Sequence, residues 1–212
     1  MPAFPRLSRQ FFEQPTLVVA RQLLGTRLVR LDSAAEGGRL AGIIVEVEAY
    51  RGEDDLGCHA RAGRTLRTQV MYGPPGHTYV YFTYGMHWLL NFVTEAEGFP
   101  AVVLIRALWP TEGIPVLAAR RSGIPRQHWT DGPAKLCRAF HIQQAFYQLD
   151  MCVPEASLFV EEGLAIPELS VTTGPRVGLN SVPEPWKSIP WRFRIQDAAS
   201  LLQEIWRKSW IY

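Results

Sequence analysis

Hydrophobic and polar positions alternate most clearly in residues 42–50 and 77–86, and both stretches predict strands. β-Branched and aromatic residues crowd them, and Gly, Pro and polar residues bound them. Successive side chains of a strand point to opposite faces. Ile44, Glu46, Glu48 and Tyr50 are therefore expected on one face, with Val45 and Val47 on the other. In the second stretch Tyr79, Tyr81 and Thr83 share a face. A further β-like segment, 86–93, follows Tyr84-Gly85, which predicts a hairpin with Tyr84 and Met86 near its tip and Gly85 at positive φ.

The remaining pattern supplies the frame. Leu17, Ala20, Leu23 and Leu24 recur at helical spacing, with Thr16 the expected cap and Gly25 the stop. A short strand at 28–31 and a turn over 32–38 lead antiparallel into the strand of Glu46 and Glu48. Residues 51–70 are charged, hold His59 and show little apolar periodicity, so they predict a long loop, a setting that is often functional. Pro74-Pro75-Gly76 turns the chain into the hairpin. The apolar run 101–106 predicts a buried strand ending in Arg106, and helices are expected from Thr111 to Arg121 and, capped by Asp131, to Phe140. Short strands and turns over 150–190, a strand at 192–195 and a closing helix capped by Asp197 complete the reading. The elements add up to one α+β domain over residues 1–212: a curved, mainly antiparallel sheet, surrounding helices and a protruding hairpin.

Composition narrows the class. At 47% hydrophobic the chain can bury a substantial core, whereas a net charge of +2 selects no partner. Charge distribution says more. Arg61, Arg64 and Arg67 follow the first strand, Arg120, Arg121 and Arg126 lie mid-chain, and Arg192, Arg194, Arg207 and Lys208 come last. Glu155, Glu161, Glu162 and Glu168 fall in a stretch without Lys or Arg, and a basic face opposite an acidic one would suit a polyanion. Cys58, Cys137 and Cys152 have no metal spacing and an odd count, which points to a reducing compartment. The first residues lack the apolar core of a signal peptide, and no apolar run reaches the ~20 residues of a membrane helix. The expectation is an intracellular, cytoplasmic protein without a membrane partner, nucleoid-associated if bacterial.

No P-loop, dinucleotide, GxSxG, HExxH or zinc-deaminase pattern occurs, and the five histidines are not at ligand spacing. What remains is carboxylate chemistry beside aromatic residues. A carboxylate there can activate water and stabilise positive charge developing on a sugar, as in cleavage of a glycosidic bond. Ordinary packing also fits these residues, since alternating Glu and Val marks a half-solvated strand and tyrosine-rich runs often fill cores.

A resemblance takes hold at the same positions. Glu46-Val-Glu-Ala-Tyr50, His59-Ala, Gly63-Arg-Thr65, Tyr79-Val-Tyr-Phe-Thr-Tyr-Gly-Met-His87, Asn91, Leu104-Ile-Arg-Ala-Leu108, Gly132-Pro-Ala-Lys-Leu136 and Arg176-Val-Gly178 resemble the alkyladenine, or 3-methyladenine, DNA glycosylases. Arg9-Gln-Phe-Phe-Glu-Gln-Pro15 and Leu23-Leu-Gly25 fit the same pattern. The resemblance implies a monofunctional glycosylase that acts as a monomer on double-stranded DNA containing damaged purines, with no metal or other cofactor. It makes Glu48 the general base. Tyr50 would stack on one side of the flipped base and His59 and Tyr81 on the other, with Asn91 in the pocket floor and Arg106 supporting it. Tyr84 would wedge into the duplex with Met86 beside it. Thr68 stands where the family usually has Asn, with shorter reach, and Tyr72 where Phe is usual. A non-catalytic binder of damaged or single-stranded nucleic acid remains the alternative, since it would need the tyrosines and arginines but not Glu48.

Overall fold

A computed structural model describes residues 4–208; the side chains of Trp206, Arg207 and Lys208 lie outside what it describes. Two helices, α1 (Arg9–Phe12) and α2 (Thr16–Leu23), precede strands β1 (Arg27–Leu31) and β2 (Arg39–Arg51). The hairpin strands β3 (Thr78–Thr83) and β4 (His87–Val93) and the long β5 (Ala101–Glu112) follow. Then come α3 (Ile114–Arg120), α4 (Pro133–Ala139), β6 (Leu158–Glu161), β7 (Val171–Gly174), β8 (Arg192–Ile195) and α5 (Ala198–Lys208). The order β3-β4-β5-β2-β1-β6 forms one antiparallel sheet, and β8, carrying β7, takes the far half of the β2 edge that β1 leaves free. Among the described residues no helix is long and apolar enough to cross a membrane.

β2 is the spine because it pairs on both edges, and its pairing with β5 is irregular where the chemistry lies. The ladder runs Ile44 to Leu108, Glu46 to Ala107 and Val47 to Ile105, so it skips Val45 on one strand and Arg106 on the other. Such bulges bend a strand and re-aim a side chain. They also break the alternation expected from the sequence. Ile44 does not join the carboxylates; it is buried in the main core with Val47, while Glu46, Glu48 and Tyr50 keep a common face.

The main core packs α2 and α4 on the sheet through Val19, Leu23, Leu136 and Phe140. A second cluster lies under residues 51–72, which form more than a loop: two 3₁₀ turns, His59–Ala62 and Gln69–Tyr72, bury Ala60, Val70, Met71 and Tyr72 against Tyr79 and Val102. The Thr68 substitution leaves this segment braced. Its hydroxyl accepts the Thr65 N–H at 2.9 Å and donates to the Gly63 carbonyl at 2.9 Å, distances the shorter side chain spans from a position 3% exposed.

Several local expectations change. Thr16 is the first residue of α2 rather than its cap, and its N–H is satisfied by the Glu95 carboxylate at 3.1 Å. Thr111 and Glu112 extend β5, because Glu112 pairs with Ala41 and with Arg27 and Arg39; the helix starts after Gly113, whose φ of 70° breaks the strand. Asp131 binds Lys135 and His128 at 2.8 and 2.7 Å, leaving Gly132 at the start of α4. Asp197 directly precedes α5, and its carbonyl accepts the Leu201 N–H. The acidic stretch is partly neutralised, since Glu161 is buried against Arg27 and Arg39, and Glu168 pairs with Arg21.

Candidate active site

The face of β2 that carries Glu46, Glu48 and Tyr50 opens on a cavity of about 380 Å³. Tyr50, His59, Tyr81, Asn91, Arg106 and Tyr84 all line it, so the structure brings together six of the eight residues picked from sequence. Met86 is not among the lining residues; it sits 68% exposed beyond the tip of the hairpin. Glu48 is fully buried one layer behind the wall, and three of its neighbours, Tyr50, Arg106 and Val177, reach the cavity.

Glu48 is held from several directions. The Val177 N–H donates to its Oε1 at 2.7 Å, the Tyr50 hydroxyl to its Oε2 at 2.8 Å, and the Arg106 Nε lies 3.3 Å from Oε1. Arg106 can serve both carboxylates because the bulge lifts it out of the ladder; it also donates to Glu46 at 2.8 Å. Burial, the largest influence, raises the Glu48 pKa above that of an ordinary glutamate, although Arg106, the Val177 N–H and the Tyr50 hydroxyl all oppose the shift. A carboxylate poised upward in this way suits proton acceptance near neutral pH.

The aromatic wall is a connected set. Tyr79 and Tyr81 lie 5.2 Å apart between ring centroids, and His59 meets Tyr81 edge-on at 4.7 Å. The Arg67 Nε donates to the Tyr79 hydroxyl at 3.3 Å, and that hydroxyl shares a hydrogen bond of 2.9 Å with His59 Nδ1. Burial, with Arg67 and Arg61 nearby, lowers the His59 pKa to about 4, so the ring is neutral at physiological pH. Asn91 is 2% exposed and tied to its hairpin partner, its Nδ2 donating to the Tyr79 carbonyl at 3.0 Å.

One feature of the site escapes local sequence patterns. Asp55 and Arg176 form a fully buried bidentate pair, and the guanidinium lies 4.6 Å from the Tyr50 ring centroid. That pair ties the segment before His59 to the segment that delivers the Val177 N–H. The resemblance had marked Arg176-Val-Gly178, but nothing in the sequence pairs it with Asp55. The hairpin tip, by contrast, lies where the sequence places it. The Met86 N–H bonds the Thr83 carbonyl, and Gly85 has the expected positive φ of 65°; Tyr84 joins it at 51°, as a type I′ turn requires at both central positions. Tyr84 is left 85% exposed. Among the described residues no three His, Cys, Asp or Glu side chains are grouped to hold a metal ion.

A cavity of this size, walled by aromatic groups and backed by a buried carboxylate with a raised pKa, has the general form of an enzyme site. Comparison with known proteins gives the particular family. The model of the methylpurine-DNA glycosylases matches residues 10–199. A relative from Methanocella arvoryzae is 46% identical over 190 residues, 89% of this chain and 92% of its own. Another, from Myxococcus xanthus, is 44% identical over 193 residues, 91% of each chain. Both are named provisionally as 3-methyladenine DNA glycosylases. The chain belongs to the methylpurine-DNA glycosylase family and is a DNA glycosylase, a hydrolase whose substrate is DNA.

Proposed function

We propose that this protein turns a damaged purine of the 3-methyladenine, hypoxanthine and ethenoadenine class out of duplex DNA and hydrolyses its N-glycosidic bond, Glu48 activating the water. The observation that carries the proposal is Glu48 itself: a fully buried carboxylate with a raised pKa, fixed by two donors behind an aromatic cavity. In this reading water is held where Tyr50, Arg106 and Val177 meet the cavity. As the C1′–N bond breaks and its electron pair leaves with the purine, the ionised Glu48 stabilises the cationic sugar, and it then takes the proton of the water whose oxygen bonds to C1′.

A base stacked in a duplex is out of reach of these groups, and extruding it costs a few kcal/mol, less for damaged or mispaired bases. Stacking on Tyr50, His59 and Tyr81 offsets that cost by roughly 1–3 kcal/mol per base. A neutral His59 also suits a purine that ring methylation has made cationic, because aromatic faces attract cations. Asn91 in the floor would reject the exocyclic amine of guanine. The nucleophile is water rather than lysine: Lys135, the lysine of the matched motif, is held by Asp131 and does not line this cavity. Residues 1–212 act as one glycosylase domain and as a monomer; the family match spans 10–199, and the main core draws on residues from Phe12 to Leu201.

Incubation with duplexes that each carry one lesion, scored for alkali-labile sites, tests the reading. Strand breaks at one or more lesions are expected. Tight lesion binding without breaks or released base would make the protein a binder instead.

Tyr84→Ser should leave the melting temperature within a few degrees of wild type, since the residue is 85% exposed. It should lower excision of a duplex lesion about tenfold, because an inserted side chain no longer replaces the lost stacking. Unchanged excision with a large loss of stability would make Tyr84 a packing residue.

Excision should also fall with pH as Glu48 is protonated, on a limb above that of an ordinary glutamate. Tyr50→Phe removes a donor that favours the charged form, so the limb should move to still higher pH. A limb that stays in place would separate the pH dependence from Glu48.

A further inference from the structure

A second cavity, of about 470 Å³, lies against the hairpin, and its lining includes Met86, His87, Arg121, Lys135, Arg138 and His141 but no carboxylate. Lys135 is already matched by Asp131 at 2.8 Å. Arg138 is exposed and forms no ion pair among the described residues. Arg121 is the residue that points to a ligand. Three arginines are buried among the described residues, Arg27, Arg176 and Arg121, at 4%, 3% and 8% exposure. Arg27 pairs with Glu112 and Glu161, and Arg176 with Asp55. Among the described residues Arg121 has no carboxylate partner; its Nε has no hydrogen-bond partner there, and its Nη2 bonds the His128 carbonyl at 3.4 Å. The preceding Arg120, by contrast, binds Asp32 at 2.6 Å. A guanidinium taken out of water without a counter-charge destabilises the fold, and its planar fork matches phosphate oxygens.

We propose that this cavity is a phosphate site that seats a backbone phosphate of the DNA strand passing the hairpin, with Arg121 as the buried counter-charge and Arg138 at the rim. Residues close in sequence line the two cavities: Tyr84 and Pro133 the first, Met86 and Ala134 the second. A strand that places one base in the first therefore carries its flanking backbone past the second. The inference rests on the DNA-glycosylase reading and adds to it that the charge of Arg121 is balanced only when DNA is bound.

The test is titration with undamaged duplex between 50 and 200 mM salt, which needs no excision. Arg121→Met keeps the apolar stem and removes the charge. It should weaken binding about tenfold and reduce the slope of log affinity against log salt by about 0.9, the share of one phosphate. The melting temperature of the free variant should equal or exceed that of wild type, because an uncompensated buried charge has gone. Arg138→Gln, at an exposed position, should reduce the slope with no change in melting temperature. Unchanged slopes in both variants would overturn the proposal, as would a large fall in the melting temperature of Arg121→Met with its slope intact. If inorganic phosphate at constant ionic strength stabilises wild type but not Arg121→Met while the DNA slope is unchanged, the site serves a free anion and the DNA assignment fails. Wild-type protein with no affinity for duplex would overturn the DNA reading and this assignment with it.

Discussion

Glu48→Gln should cut single-turnover excision by at least ~10²–10⁴-fold, the usual effect of removing a general base, and further if the carboxylate also steadies the cationic sugar. Binding to a lesion duplex should stay within about tenfold, or ~1.4 kcal/mol, of wild type. The site accommodates the amide: its oxygen can accept the Val177 N–H while its NH₂ donates to the Tyr50 oxygen. Stability supplies an independent readout. Because burial holds the Glu48 pKa above its unfolded value, the ionised side chain destabilises the fold at neutral pH, and that cost fades as pH falls through the raised pKa. The glutamine variant should therefore melt at or above the wild-type temperature at neutral pH, with the difference narrowing on acidification. Glu46→Gln is the control. It shares the face and binds Arg106, but it makes no contact with Tyr50 or Val177, so its defect should be much milder. Equal defects, or a worse one for Glu46, would sink the assignment of the base.

The second large effect concerns stability. Asp55→Ala leaves the Arg176 guanidinium fully buried without its partner, and also strips acceptors from the N–H groups of Gly57 and Arg51. Breaking a buried pair from one side costs about 3–5 kcal/mol. For a chain of this length that corresponds to a drop in melting temperature of roughly 6–20 °C. Excision per folded molecule should fall too, since the same pair positions the segments around His59 and Val177. Glu168→Ala, which removes an exposed partner of Arg21, should shift melting by no more than about 3 °C, as surface pairs contribute under ~1 kcal/mol. If calorimetry gives the two variants similar small shifts, the Asp55–Arg176 pair is not what holds the site.

Much of the site could be read locally. The hairpin with Tyr84 at its tip and the shared face of Glu46, Glu48 and Tyr50 follow from alternation and turn chemistry, which act over a few residues. Ile44 and Thr111 were misread for a common reason: pairing between strands, not the sequence around them, decides where the ladder slips and where β5 ends. Residues 51–72 look polar because their few apolar side chains have no period, yet those few fill a core completed by other strands. The contacts that fix Glu48 and Tyr50 lie further still from local patterns. Val177 is 129 residues from Glu48 along the chain, and Arg176 is 121 from Asp55.

Those separations bear on how the protein comes into being. Contacts between distant residues close late, because the chain must lose the entropy of a long loop before it gains from them. During synthesis from the amino terminus, the hairpin, β5 and β2 can pair into one sheet long before residues 176 and 177 leave the ribosome. Until then Glu48 lacks the Val177 N–H and Asp55 lacks the Arg176 guanidinium, although β5 already pairs with that half of β2. The cavity is thus among the last parts of the molecule to set, and a nascent chain interrupted before residue 176 has the aromatic hairpin on display without a finished site behind it.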